Sequence, residues 1–94
     1  MKLKELIQKL NLELTTSSTA LDAEVENAYA SDILSDVMSH AKEGSVWITL
    51  QTHRNTVSVA ELKSFAGIIL VGGRRPDDET LKKANEENIP ILST

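Results

Sequence analysis

The fold is decided by residues 45–55, which read SVWITLQTHRN. Val46, Trp47, Ile48 and Leu50 supply apolar side chains to both faces of residues 45–51 and predict a β-strand that is buried on both faces. The polar turn from Thr52 to Asn55 follows, and the chain then becomes helical. A doubly buried strand that leads through a tight turn into a helix is typical of the interior of a parallel α/β sheet. In such sheets, ligands bind at the carboxyl ends of the strands.

Size and composition indicate a single domain over residues 1–94. A net charge of −4 disfavours nonspecific nucleic-acid binding, because no surface collects enough Lys and Arg to neutralise many phosphates. The absence of cysteine excludes thiolate ligands for zinc or an iron–sulfur cluster and fits a reducing, cytoplasmic location. No apolar run approaches the roughly 20 residues of a membrane span, and residues 1–10 do not resemble a signal peptide. We therefore expect no membrane association.

Hydrophobic periodicity predicts the other elements of the chain. We expect helices over residues 2–10, 33–42, 55–66 and 76–88, strands over 12–14, 45–51, 68–71 and 89–92, an extended edge segment over 21–25 and a loop over 15–19. Ser31 or Asp32 is the expected cap of the second helix, and Ile33 is expected on its buried face. Crossovers of about 15 residues are long enough for right-handed parallel connections. The prediction is an α/β fold with a mostly parallel sheet of about four to five strands and flanking helices.

Two turns supply the candidate ligand-binding residues. If Trp47 and Ile69 lie side by side in one interior layer, the turns after their strands meet at one edge of the sheet. Paired glycines permit positive φ and a close approach to the backbone, and arginine forks suit phosphate or carboxylate. The candidate site comprises Thr52, His53, Arg54 and Asn55 in the first turn and Gly72, Gly73, Arg74 and Arg75 in the second.

The two turns differ in their expected affinity for anions. The helix after Asn55 has no acidic residue before Glu61, whereas the helix after the second turn begins with residues 77–79, all acidic. Since carboxylates there already satisfy the positive helix end, an anion should prefer the first turn, with Arg74 or Arg75 reaching across.

Each candidate residue also has a structural interpretation. The paired glycines can form a simple turn, and Arg74 and Arg75 can pair with the acids at 77–79 on a solvated face. His53 has no carboxylate or second histidine at metal-ligand spacing, and neither an orienting partner nor a nucleophile is visible for a general base. Walker A, GxGxxG, GxSxG and HExxH motifs are absent. We therefore expect no catalytic residues, no metal site and no cofactor.

The two turns resemble the signature of the DRTGG domain family, which is named for Asp-Arg after one strand and Thr-Gly-Gly after the next. Arg54, Gly72 and Gly73 match this signature, while His53 replaces the Asp and Val71 replaces the Thr. Segments 29–32, 46–49 and 89–92 also resemble small stand-alone members of the family.

The resemblance implies a non-catalytic regulatory domain whose fold is similar to the N-terminal domain of HPr kinase/phosphorylase. Such domains accompany phosphotransacetylase and CBS-containing inorganic pyrophosphatases. Stand-alone relatives occur beside histidine-kinase-like ATPases and iron-hydrogenase-type proteins. We expect a cytoplasmic regulatory or adaptor domain that forms a homodimer or docks on a partner protein. The open alternative is a sensor that binds a nucleotide or another anion at the two turns.

Overall fold

The computed structural model describes residues 1–17 and 20–94, so the predicted loop at 15–19 lies partly outside the described residues. The described helices are α1 (Leu3–Leu10), α2 (Leu34–His40), α3 (Asn55–Leu62) and α4 (Asp78–Glu87). The described strands are β1 (Glu13–Leu14), β2 (Asn27–Ala30), β3 (Ser45–Thr49), β4 (Gly67–Leu70) and β5 (Ile91–Ser93). They form one sheet in the order β1-β5-β4-β3-β2, in which only the β1–β5 pair is antiparallel. The predicted α/β fold with a mostly parallel sheet is confirmed.

One face of the sheet is covered by α2, α3 and α4. Trp47 of β3 is fully buried there and meets Phe65 edge to face, with 6.1 Å between ring centroids and 64° between ring planes. Its indole Nε1–H donates to the carbonyl oxygen of Ser31 at 2.8 Å, which satisfies the one polar group of the ring. Val37 of α2 and Val57 of α3 complete this layer. Both the apolar ring and the N–H group of Trp47 therefore fix β3 in the core.

The opposite face is covered by α1 and by the segment 21–25. Leu3 of α1 and Leu92 of β5 are fully buried in this layer, together with Ile69 of β4. The expectation that Trp47 and Ile69 share one layer is wrong, because Trp47 pairs with Ile68 and points to the other face. The strands that carry them are nevertheless neighbours, so the turns after them leave from the same edge of the sheet.

The sheet edge differs from the prediction. Residues 21–25 run along the start of α1, where the carbonyl oxygens of Leu21 and Ala23 accept hydrogen bonds from Lys4 and Leu3 N–H. The edge strand is instead β2, which pairs parallel with β3. Its sequence, NAYA, has little intrinsic preference for a strand, so the pairing with β3 decides its conformation.

Two helix boundaries also differ from the prediction. Ser64 adopts a left-handed conformation with φ of 56°, and α3 ends at Leu62 instead of near residue 66. The second helix begins at Leu34, so Ile33 lies before it in extended conformation and its side chain is 64% exposed. The expected burial of Ile33 is therefore wrong.

Candidate functional site

The carboxyl ends of the parallel strands meet at one rim of the sheet, which we define as residues 31–32, 50–55, 71–77 and 94. Val71 N–H donates to the Thr49 carbonyl oxygen at 3.2 Å, and Thr94 N–H donates to that of Leu70 at 3.0 Å. Gly73 N–H in turn donates to the Thr94 carbonyl oxygen at 3.0 Å. The two predicted turns therefore leave neighbouring strands side by side.

The first turn is tied to the start of α4 by its backbone. The Thr52 carbonyl oxygen accepts one hydrogen bond from Asp77 N–H at 3.2 Å and another from Thr80 Oγ1 at 2.7 Å. Thr80 is only 1% exposed, so this second bond lies within the fold. Thr56 Oγ1 donates to the His53 carbonyl oxygen at 2.8 Å and closes the turn from the other side. Backbone carbonyls of the turn are thus used to position the two helices.

Acidic side chains of α4 face the first turn. His53 Nδ1 lies 3.4 Å from Asp77 Oδ2, and Arg54 Nη1 lies 3.8 Å from Glu79 Oε2. With Asn55 and its neighbours they line a depression of about 330 Å³. The start of α3 has no acidic residue of its own, but these carboxylates bring negative charge to it from the adjacent helix. The same carboxylates that favour the start of α4 therefore oppose an anion at the start of α3.

The Arg75 side chain of the second turn reaches β1, the outer strand on the side of the sheet opposite β2. Arg75 Nη2 contacts both carboxylate oxygens of Glu13 in β1, at 2.7 and 2.6 Å. This hydrogen-bonded guanidinium lowers the pKa of the Glu13 carboxyl below its usual value. Arg75 therefore pairs with Glu13 and not with the acids at 77–79, the alternative that the sequence offered. Gly73 and Arg75 line a separate depression of about 300 Å³ beside β1 and the Thr94 end of the chain.

Arg74 and the glycines of the second turn have fewer constraints. Gly72 and Gly73 have φ values of 71° and 72°, the left-handed region that glycine adopts most readily. A side chain at Gly73 would meet no atom within 4 Å, so the backbone there is open to an approaching group. The Arg74 side chain forms no ion pair within 4 Å over residues 1–17 and 20–94, and its charge contributes to lowering the pKa of Asp32.

Asp32 belongs to the rim, and sequence reasoning assigned it a different role. Its Oδ1 accepts hydrogen bonds from Leu50 N–H at 2.7 Å and from Thr49 Oγ1 at 2.8 Å. These two donors lower the pKa of the Asp32 carboxyl, the Leu50 N–H more strongly. Its side chain does not cap α2; Ser31 Oγ accepts from Ile33 N–H at 3.1 Å just before that helix. Asp32 joins the ends of β2 and β3, a role that could be recognised only once β2 was known to be a strand.

Part of the sheet face beside the rim is left uncovered. We define the open sheet face as Ala28, Ala30, Ile48, Leu50 and Val71, whose side chains lie on one face of the sheet and stay exposed or half-buried. Ala28 and Ala30 are exposed, Leu50 is 38% exposed, and the other two side chains are half-buried. Ala30, Ile48, Leu50 and Val71 line a shallow depression of about 270 Å³.

The described residues include neither a cluster of metal ligands nor a membrane-spanning helix. Over residues 1–17 and 20–94, no group of three or more His, Asp or Glu side chains is arranged to hold a metal ion. None of the helices in the described part of the chain is long and apolar enough to cross a membrane.

Comparison with known proteins gives a solved structure of similar fold and a matching family model. No curated protein sequence matches it. A similar solved structure is the crystal structure of the CBS and DRTGG domains of the regulatory region of Clostridium perfringens pyrophosphatase, complexed with the activator diadenosine tetraphosphate. That structure has a TM-score of 0.76 and 16% sequence identity, and the match covers 99% of this chain and 40% of that chain. The likeness establishes a shared fold. The model of the DRTGG domain family matches residues 5–94, and the chain therefore belongs to the DRTGG domain family.

Proposed function

We propose that this DRTGG domain is a non-catalytic regulatory or adaptor domain that acts by docking on a partner protein or by dimerising. The observation that carries the proposal is the contrast between the rim and the open sheet face. Polar groups of the rim, such as the Asp32 carboxylate and the Thr52 carbonyl, are used to hold strands and helices together. The apolar side chains of the open sheet face, in contrast, stay exposed or only half-buried.

The structural neighbour supports a regulatory role, because it is the regulatory region of a pyrophosphatase. Catalysis by His53 has weaker support. The side chains of His53 and Asp77 are 71% and 51% exposed, and their nitrogen and oxygen lie 3.4 Å apart. Water screens such a pair, and a general base requires a firm orienting partner and a nucleophile within hydrogen-bond reach.

Light scattering coupled to size-exclusion chromatography tests the dimerising version of this proposal. A dimer whose fraction rises with protein concentration would support self-association. A monomer at millimolar concentration would refute it and leave docking on a partner protein.

The identity of that partner forms the finer part of the proposal. Family resemblance favours a component of an iron-hydrogenase or histidine-kinase-like system in the cytoplasm, and the absence of cysteine fits a reducing compartment. Titration calorimetry with purified components of these two kinds tests the association. If neither component gives a heat of binding and the chain is strictly monomeric, the adaptor proposal is overturned.

A nucleotide or anion sensor is the second candidate function. Two observations favour it: the open backbone at Gly73, and the Arg74 side chain without an ion-pair partner among the described residues. The acids facing Arg54 make the first turn the weaker half of such a site. We expect an adenine nucleotide to contact the second turn first.

Amide NMR during titration with ATP and AMP tests the sensor. Ligand binding should shift the signals of Gly72, Gly73 and Arg74, and Arg74→Gln should weaken binding more than the matched Arg54→Gln. Unchanged signals at both turns at millimolar nucleotide would reject the adenine-nucleotide version.

A further inference from the structure

We propose that β2 is a docking strand, to which an extended segment of a partner protein adds as a sixth strand. The segment has apolar side chains at alternate positions and a Lys or Arg at the end that lies beside Glu26. This inference rests on the proposed docking function, and it names both the surface and the chemistry of the partner.

The backbone of β2 has a free hydrogen-bonding edge. This strand is the last in the sheet order, and no described strand pairs with its outer side. Ser31 N–H donates to the Ile48 carbonyl oxygen at 3.1 Å, and in a parallel ladder alternate residues direct their backbone groups to the same side. Tyr29 and Ser31 therefore bond toward β3, while the backbone groups of Ala28 and Ala30 point outward. Such an edge is a template for an added strand.

The side chains beside this edge leave room for apolar groups. Ala28 and Ala30 pair in register with Val46 and Ile48, so they share a face of the sheet with these residues. Because alanine is small, the side chains of an added strand can extend over Ala30 toward Ile48. The depression of about 270 Å³ on this face is large enough for one or two aliphatic side chains. A strand with apolar residues at every second position would cover the open sheet face.

A carboxylate at the start of β2 favours a basic partner. Residues 10–39 contain no Lys, Arg or His. They contain six acidic residues, namely Glu13, Asp22, Glu24, Glu26, Asp32 and Asp36. All but Glu26 have partners within the fold. Glu13 pairs with Arg75, Asp22 with Lys4, and Glu24 with the Met1 amine. Asp32 binds the end of β3, and Asp36 binds Tyr29 and His40. The Glu26 carboxylate has no ion-pair partner in the described part of the chain, and it lies just before β2.

The same charges oppose the register in which a second copy of this chain would pair centrally on the edge. If two β2 strands paired antiparallel about a twofold axis through Tyr29, Glu26 of one copy would lie opposite Asp32 of the other. Like charges in directly opposed positions destabilise a strand pair. A partner with a cation opposite Glu26 gains an attractive charge pair, whereas a second copy in this register meets charge repulsion.

Selection from a random library of 12-residue peptides displayed on phage, against the whole chain, tests the inference. Enriched peptides should alternate apolar residues and carry Lys or Arg toward one end. One enriched peptide, synthesised and titrated into the labelled protein, should shift the amide signals of Ala28 and Ala30 and the methyl signals of Ile48.

Three variants sharpen the test. Ala30→Pro removes an outward N–H that makes no bond to β3, so the sheet should stay intact while peptide affinity falls at least about tenfold. Glu26→Gln should weaken binding by about two- to fivefold, the range for an exposed ion pair. Glu86→Gln on α4 removes a distant exposed charge and should leave affinity unchanged. Glu26→Gln keeps the test decisive if the proline variant fails to fold.

Each outcome separates this inference from the broader docking function. Peptides that bind but shift signals elsewhere would overturn the β2 surface and leave docking intact. Enriched peptides without basic residues would overturn the proposed chemistry of the partner. A concentration-dependent dimer that Ala30→Pro abolishes would assign the edge to a second copy and refute the partner strand. No enriched peptide at all would refute the inference, and the calorimetric titrations with candidate partners would still decide the docking function.

Discussion

Replacing Thr80 by valine should loosen the first turn of the rim. Thr80 is 1% exposed, and its hydroxyl donates a hydrogen bond to the Thr52 carbonyl oxygen at 2.7 Å. Valine keeps the branched shape of the side chain but removes this donor. The Thr52 carbonyl still accepts from Asp77 N–H at 3.2 Å, so it does not become an unpaired buried acceptor. The loss is therefore that of one ordinary hydrogen bond, about 1 kcal/mol. For a domain of this size, that lowers the Tm by about 4–8 °C.

Urea denaturation followed by the fluorescence of Trp47, the one tryptophan of the chain, measures this loss. Hydrogen exchange of the amides at 53–55 should also accelerate in the valine variant. Thr80→Ser is the matched control: it deletes a buried methyl, at about 0.8 kcal/mol, but keeps the hydroxyl, so exchange in the turn should stay slow. A valine variant as stable as the parent, or equal exchange in the two variants, would refute the role of this bond in positioning the turn.

Three further predictions concern the turn, the core and the rim carboxylate. Gly73→Ala should lower the free energy of unfolding, measured by urea denaturation, by about 1 kcal/mol because the residue has a positive φ. Gly72→Ala should lower it more, since the new Cβ would also lie 3.3 Å from the Leu50 side chain. Trp47→Phe should lower the unfolding free energy by about 2 kcal/mol, measured by circular dichroism, because it loses buried volume and leaves the Ser31 carbonyl oxygen without its indole donor. The stabilising effect of Asp32 is present above the ordinary aspartate pKa of 3.8 and is lost as the pH falls through its lowered folded-state pKa. Acid titration of Asp32→Asn should therefore show a shallower loss of stability below that pH than the parent protein.

Much of the interior could be predicted because its pattern is local. Residues 46–48 of β3 and 68–70 of β4 are apolar at successive positions, and such a run is typical of a strand that has neighbours on both faces. The crossover helices then require a parallel sheet, which places the turns at 52–55 and 72–75 on a common edge. The family signature lies in these two turns, so membership could be recognised from the same residues.

The side chains of the candidate site were harder to predict. Arg75 was expected to pair with acids two to four positions away, but it binds Glu13, 62 positions earlier in the chain. His53 and Arg54 face the acids of α4 because the first turn packs on the start of that helix. No local pattern contains these pairings, since an ion pair depends on which turns and helices the fold brings within a few ångströms.

The sequence by itself determined the alternation of buried strands and helices, the shared edge for the two turns and the family. Only the tertiary structure decided that residues 27–30 form the outer strand, that Asp32 joins two strand ends and that an apolar part of the sheet stays uncovered. The physical reason is the range of the interactions involved. Burial of consecutive apolar side chains depends on neighbours along the chain, whereas an edge strand of weak intrinsic preference forms only when a distant strand supplies its hydrogen bonds.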